Sequence, residues 1–317
     1  MEKPIWQPSA SLPSLRTRAL ILNKIRHFFN VRGYLEVETP VMAHFGITDV
    51  YLANIEAVFR GQRYFLQTSP EYHMKRLLAA GSGPIYQLAR VFRDDELGRW
   101  HNPEFTLLEW YQLNIDHYQL MGEVEALLQE ILACGPLQRL SYQHIFMQIC
   151  DFDPFDTSLN ELKKALTRFA LTGILPAEET DFDQYLFLLM SHVVEPALAK
   201  EATPVAVYNF PASQAALAQI KNGMAERFEV YFKGVELANG FHELTDKDAQ
   251  EKRFLQDVRS RKARALPGSP PDEFLLQALE HGLPACSGVA LGVDRLLAIA
   301  LGHSSIADTL AFDFSRA

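Results

Sequence analysis

Phe92-Arg93-Asp94-Asp95-Glu96-Leu97-Gly98-Arg99-Trp100-His101-Asn102-Pro103-Glu104-Phe105-Thr106-Leu107-Leu108-Glu109-Trp110-Tyr111 gathers cations suited to phosphate, an aromatic suited to stacking and a carboxylate into one short stretch. An apolar run over residues 85–92 leads into Arg93, a polar loop follows, and a second apolar run begins at Phe105. Two such runs across a polar loop predict an antiparallel pair of strands. Side chains alternate along a strand, so Phe105, Leu107, Glu109 and Tyr111 share one face, each about 6.6 Å from the next. That row has the reach of a nucleotide joined to a small molecule. Glu109 stands among apolar neighbours, where an unpaired carboxylate is costly, so a cation is expected beside it. The amine of a substrate meets that need.

Working outward, residues 15–32 read as an amphipathic helix, with Leu15, Ala19, Leu22 and Phe29 near three-to-four spacing and Gly33 where a helix stops. Residues 34–39 alternate as a strand and end at Pro40, a sheet-edge signal. Residues 64–68 read as a short strand, and Ser69-Pro70-Glu71 opens a helix in the order cap, proline, acid. An acid there suits a helix's first turn without any ligand. From 120 to 132 and from 159 to 198 the pattern is mostly helical, which reads as an insertion at about 115–200 within a single catalytic domain spanning 1–317. Beyond it, residues 205–210 and 228–232 are strand-like, with turn signals at Lys233-Gly234 and Asn239-Gly240. Residues 288–293 are small and apolar, and a helix is expected from Asp294.

In Val235-Glu236-Leu237-Ala238-Asn239-Gly240-Phe241-His242-Glu243 two glutamates lie seven apart. A hairpin turn at Asn239-Gly240 would oppose them and demand a cation between them; a bulge at Gly240 with the reversal at Lys233-Gly234 would also draw them together. A surface hairpin with two solvated carboxylates is the plainer alternative. Arg93 and Arg295 each follow an apolar run, a placement that suits bidentate contact with phosphate or carboxylate, although a structural ion pair suits each equally well. Magnesium (Mg2+) with two arginines fits a triphosphate and nucleotidyl transfer. Gly288-Val289-Ala290-Leu291-Gly292 lacks the lysine and spacing of a phosphate-binding loop. His101 has no partner at metal-ligand spacing, and no Ser/His/Asp arrangement is evident.

Composition narrows the classes. The chain has 317 residues, 48% hydrophobic, enough for a large core. A net charge of −9 is the wrong overall sign for binding nucleic-acid phosphates. Three cysteines without CxxC spacing argue against a disulfide framework or zinc site and for a reducing cytoplasm. No membrane span or signal peptide is expected.

Taken together, these segments resemble the class II aminoacyl-tRNA synthetase core, with residues 33–40 similar to its first motif, 92–111 to its second and 288–297 to its third. The pattern is nearest the lysyl-tRNA synthetases, and within that group their truncated relatives, which attach (R)-β-lysine to a lysine of elongation factor P. With the first motif starting at Gly33, no room is expected for an anticodon-binding barrel. Ala290, where lysyl-tRNA synthetases place glycine, and the loop 95–101 also point to the truncated group. Asp94-Asp95 departs from the family's Asn-Glu.

The resemblance implies an α+β fold, a mostly antiparallel sheet flanked by helices, in a homodimer formed through residues 15–40. It implies ATP and magnesium as cofactors, an amino acid substrate, elongation factor P as the protein acceptor and no tRNA. Arg93 would hold the α-phosphate and substrate carboxylate. Asp94, Asp95 and Asn102 would seat ATP, Phe105 would stack on adenine and Arg295 would cover the γ-phosphate. Ser69, Pro70 and Glu71 would meet the substrate's backbone-side amine; Glu109, Tyr111 and Glu243 would enclose its terminal ammonium, with Ala290 shaping the pocket. Glu236, Leu237 and Gly292 would line the nucleotide, with Glu236 and Glu243 near the metal. Two other expectations stand beside this one: a stand-alone lysyl transferase to tRNA or another acceptor, and a non-catalytic regulatory paralogue.

Overall fold

A computed structural model describes residues 4–94 and 97–317. In chain order it begins with α1 (Leu12–Asn30), β1 (Leu35–Glu36), β2 (Met42–Ala43), β3 (Glu56–Phe59), β4 (Gln62–Leu66), α2 (Glu71–Ala79), β5 (Ile85–Phe92) and β6 (Glu104–Leu113). There follow α3 (His117–Leu132), β7 (Gln138–Ser141), α4 (Tyr142–Cys150), α5 (Leu159–Arg168), α6 (Phe182–Leu189), a π-helical turn (Met190–Val194), α7 (Glu195–Leu198), β8 (Val205–Pro211), β9 (Ile220–Lys221), β10 (Met224–Phe232) and β11 (Val235–His242). The chain closes with α8 (Lys247–Ala263), α9 (Glu273–Gly282), β12 (Cys286–Gly292) and α10 (Val293–Leu301). Two compact units result. Unit 1 is Met1–Asp116, Glu130–Leu132 and Glu243–Ala317; unit 2 is His117–Gln129 and Ala133–His242.

Unit 1 carries the strand order β1-β5-β6-β12, antiparallel except for the β1/β5 pair, and a small sheet ordered β2-β4-β3. The pair expected from the opening stretch is there, in register from Ile85 opposite Tyr111 to Phe92 opposite Glu104. Its two faces are buried for different reasons. On one, Tyr86 and Trp110, opposite one another, meet Phe29 of α1 at ring distances of 4.5 and 5.3 Å. Helix α1 starts at its Ser11 cap and ends before Gly33, whose φ of +77° suits glycine. Its buried line is Ile21, Ile25, Phe28 and Phe29, one step round from the line expected; Ala19 is exposed. The other face of β6, carrying Phe105, Leu107, Glu109 and Tyr111, is thereby left for chemistry.

A buried polar knot holds α1, β6 and α10 together. Arg18 Nη1 donates to Asp294 Oδ1 at 2.5 Å and Arg18 Nη2 to Thr106 Oγ1 at 2.7 Å, while the Thr106 N–H donates to Asp294 Oδ2 at 2.8 Å. Removing Asp294 takes the counter-charge from a largely buried guanidinium and strands a backbone donor. Asp294→Ala is expected to lower the unfolding free energy by about 3 kcal/mol, read by denaturant titration.

Unit 2 has strand order β11-β10-β8-β7, with β9 beside β10 and only β7/β8 parallel. Its apolar core joins Tyr142, Phe146, Leu162, Leu186, Leu189, Leu198, Val205 and Val207, so α4 to α7 share a core with a strand that follows them in sequence. The reversal between β10 and β11 falls at Lys233 and Gly234, both at positive φ. The Asn239-Gly240 hairpin is therefore overturned: β11 runs straight through both residues, and the register irregularity lies at Val230/Tyr231 rather than at Gly240. No described helix is long and apolar enough to cross a membrane.

Candidate active site

Within unit 1, β6 and α2 converge on an acidic pocket. Glu109 is 2% exposed; its Oε2 accepts from Ser69 Oγ and its Oε1 from the Tyr111 hydroxyl, both at 2.6 Å. The strand's two-residue period places Tyr111 beside Glu109. Ser69 also accepts the Glu71 N–H at 3.0 Å, so one hydroxyl both steadies the start of α2 and reaches β6. Pro70, rather than Ser69, occupies the cap position and is buried. Glu243 is fully buried, and its backbone N–H donates to Cys286 O at 3.0 Å.

The pocket holds a cation of the protein's own, paired with Glu71 and Glu243 and not with Glu109, where one was expected. Lys75, 2% exposed, places Nζ 2.6 Å from Glu71 Oε1 and 2.6 Å from Glu243 Oε2. Sequence reading missed Lys75, although its place four residues after Glu71 on a helix was a usable signal. Glu243 consequently faces an ammonium, an arrangement that does not fit a metal ligand. Gly288, in the Gly-rich stretch where close backbone approach is the one thing to expect, leaves no room for a side chain: a Cβ there would lie 2.2 Å from Tyr111 Cε1 and 2.7 Å from Glu243 Oε1. Ala290, opposite Glu109 in the β12/β6 register, packs with Phe105 against Ala89, Val91 and Leu107.

Burial raises the Glu109 carboxyl to about 7, with the charge of Glu71 adding to the rise and the Ser69 and Tyr111 bonds opposing it. Burial also raises Glu243, to about 8, against the pull of Lys75. Lys75 moves up despite burial, because Glu243 and Glu71 hold its ammonium. An acid with a raised folded-state pKa gives the fold most when protonated, and that contribution fades as pH rises from the ordinary 4.5 through about 7. Binding a cation has the opposite sign, since it needs the ionised form. Activation of an amine-bearing substrate is expected to gain up to about tenfold per pH unit below pH 7 and to level off above, read as kcat/KM for the amino acid.

The same strand row continues to a stacking floor. Phe105 is half-buried on Ala89, Val91 and Leu107, and the Arg93 guanidinium carbon lies 5.1 Å from its ring centroid. Arg295 donates from Nη2 to His101 Nε2 at 2.7 Å and from Nε to Trp100 O at 3.2 Å. Arginine only donates, so the accepting histidine nitrogen carries no proton. His101 thus steadies an arginine, a role its sequence setting did not suggest. Gly292 caps α10. Asn102 donates to Glu104 O at 2.6 Å and accepts from the Phe314 N–H at 2.9 Å, so its amide holds backbone. Asp94 is exposed, with its N–H donating to Ala53 O, and Asp95 lies outside the described residues.

In unit 2, Leu237 is buried and Glu236 lines a cavity of about 410 Å³ together with Glu229, Glu195 and Arg227. Glu229 is bonded to Arg227 and to the Tyr231 hydroxyl. Among the described residues no group of three or more histidine, cysteine or acidic side chains is placed to hold a metal ion.

A family model for tRNA synthetases class II (D, K and N) matches residues 8–316, almost the whole chain. The chain belongs to the class II tRNA synthetase family. Among curated proteins, the elongation factor P–(R)-beta-lysine ligases of Salmonella paratyphi A (strain ATCC 9150 / SARB42), Salmonella schwarzengrund (strain CVM19633) and Salmonella typhi are each 54% identical to it over 325 residues. In each case all of this chain and 99% of the relative are covered. The family's α+β core agrees with the mostly antiparallel strands and flanking helices of both units.

Proposed function

We propose that this chain is an ATP-dependent ligase that activates (R)-β-lysine as its aminoacyl-adenylate and passes the acyl group to a lysine side chain of elongation factor P. The observation that carries the reading is the acidic pocket of Ser69, Glu71, Glu109, Tyr111 and Glu243, of which Glu109 and Tyr111 share a strand face with Phe105, the ring that lies beside Arg93. Full-length identity of 54% to ligases of that name supports it.

In this reading Glu109 and Tyr111 receive the terminal ammonium, Glu243 lies behind them and Glu71 meets the other amine. Adenine stacks on Phe105 with Gly292 along its edge, and Ala290 shapes the amino acid pocket. Arg93 aligns the substrate carboxylate with the α-phosphate; a carboxylate oxygen attacks phosphorus and the bond to pyrophosphate breaks. Fixed guanidinium charge on Arg93 and Arg295 stabilises the charge that develops, by position rather than covalent chemistry. A deprotonated lysine amine of the acceptor then attacks the carbonyl carbon and AMP leaves. Holding both partners in place supplies much of that second rate. Asp94 and Asn102 border the nucleotide. Glu236 would hold magnesium, which when bound would screen the triphosphate's charge.

We further propose that the chain acts as one catalytic domain with a helical insertion at about 115–200, as a cytoplasmic homodimer joined through residues 15–40, without tRNA as a partner. Purified protein is expected to catalyse amino-acid-dependent pyrophosphate exchange, and with labelled β-lysine and ATP to add one acyl group to elongation factor P, read by intact mass, leaving tRNA unlabelled. No exchange with either lysine isomer, or label on tRNA alone, would sink the reading.

A further inference from the structure

Lys75 takes no part in the reaction set out above, yet it sits at the centre of the pocket's charge. Lysine is almost never fully buried unless paired, and a buried ammonium needs partners close enough to offset its desolvation. Here it reaches from α2 to two carboxylates, Glu71 on its own helix and Glu243 beyond it, at 2.6 Å each. Glu109 is treated differently: its two oxygens are held by hydroxyls, Ser69 and Tyr111, which carry no charge. Three carboxylates and one ammonium leave the ionised pocket with two negative charges. A diamino acid brings two ammonium groups, and its own carboxylate is directed to Arg93.

We propose that Lys75 is a specificity-determining positioning residue, which clamps Glu71 and Glu243 and sets the pocket's charge at the value that two substrate ammonium groups neutralise. The proposal rests on the activation of a diamino acid argued above. An amino acid with a single amine leaves one buried negative charge uncompensated and is rejected for that reason. A pocket without Lys75 holds one charge too many and leaves its two partner carboxylates unclamped. In both cases the effect is exerted through the glutamates, with no contact from Lys75 to the substrate.

Pyrophosphate exchange tests this through the sign of a double-variant comparison. Lys75→Met alone is expected to raise KM for (R)-β-lysine about tenfold, with KM for ATP within about twofold. Glu243→Gln alone, which leaves one negative charge too few, raises it as well. Adding Lys75→Met to Glu243→Gln restores two negative charges, and KM is expected to fall at least about threefold below that of Glu243→Gln. A lysine that merely fills space predicts the reverse: the second substitution adds damage to the first. A double variant with a KM equal to or above that of Glu243→Gln, or one that no longer folds, overturns the proposal. The comparison stands even if Lys75→Met alone is insoluble. Absence of exchange in the unsubstituted protein with every diamino acid counts against the functional reading instead; exchange without the predicted sign counts against Lys75 alone.

Discussion

Glu109→Gln lowers kcat/KM for the amino acid in pyrophosphate exchange about a thousandfold while leaving KM for ATP within about twofold. The size follows from what glutamine keeps and what it loses. It fills the same volume and its carbonyl oxygen can still accept from one of the two hydroxyls, Ser69 and Tyr111, that now bond to separate oxygens of Glu109 at 2.6 Å each, while the other hydroxyl can turn to accept from the amide NH2. It cannot neutralise an ammonium drawn into a site where Glu109 is 2% exposed. Leaving a buried cation without its counter-charge typically costs about 2–5 kcal/mol of binding, and about 4 kcal/mol corresponds to a thousandfold. Folding stability moves little or rises, because a buried carboxylate pushed up to about 7 is already costly to ionise. Loss of activity together with loss of folding would assign Glu109 to the scaffold instead.

Gly288→Ala is expected to be the most damaging single-methyl change in the pocket. The new Cβ would stand 2.2 and 2.4 Å from two ring carbons of Tyr111, distances that no real contact tolerates. Tyr111 is 2% exposed, and a shift of its ring also moves the hydroxyl that bonds to Glu109. Overpacking of this kind costs about 1–3 kcal/mol of stability. The displaced hydroxyl also gives up its bond to Glu109, so kcat/KM for the amino acid is expected to fall about a hundredfold. Denaturant unfolding and exchange kinetics on one preparation check both parts. Wild-type stability with unaltered amino-acid KM would mean that the close approach has no role in recognition.

The strand pair and the shared face of Phe105, Leu107, Glu109 and Tyr111 were legible in the sequence, because apolar runs around a polar loop and a two-residue period are local signals. The clustering of Glu71 and Glu109 followed less directly: the sequence placed Ser69 before a helix, and the fold uses the same hydroxyl as the bridge to β6. Asn239-Gly240 misled. Those residues favour a tight turn in isolation, but Lys233 and Gly234 take the positive φ angles that reverse the chain, and β10 holds β11 straight as far as His242. Lys75 was hidden for a different reason. A lysine on a helix ordinarily faces water, and only the chain's return at Glu243, more than 160 residues later, turns it inward. The Gly-rich stretch at Gly288 suggested close backbone approach, but its partner, Tyr111, came only with the fold.

A crystal structure with a non-hydrolysable lysyl-adenylate analogue tests the central claim most directly. The account predicts the terminal ammonium within about 3 Å of Glu109 and the Tyr111 hydroxyl, the adenine on Phe105, and Lys75 still bridging Glu71 and Glu243. An analogue whose ammonium lies elsewhere, with Glu109 bonded only to Ser69 and Tyr111, would contradict it.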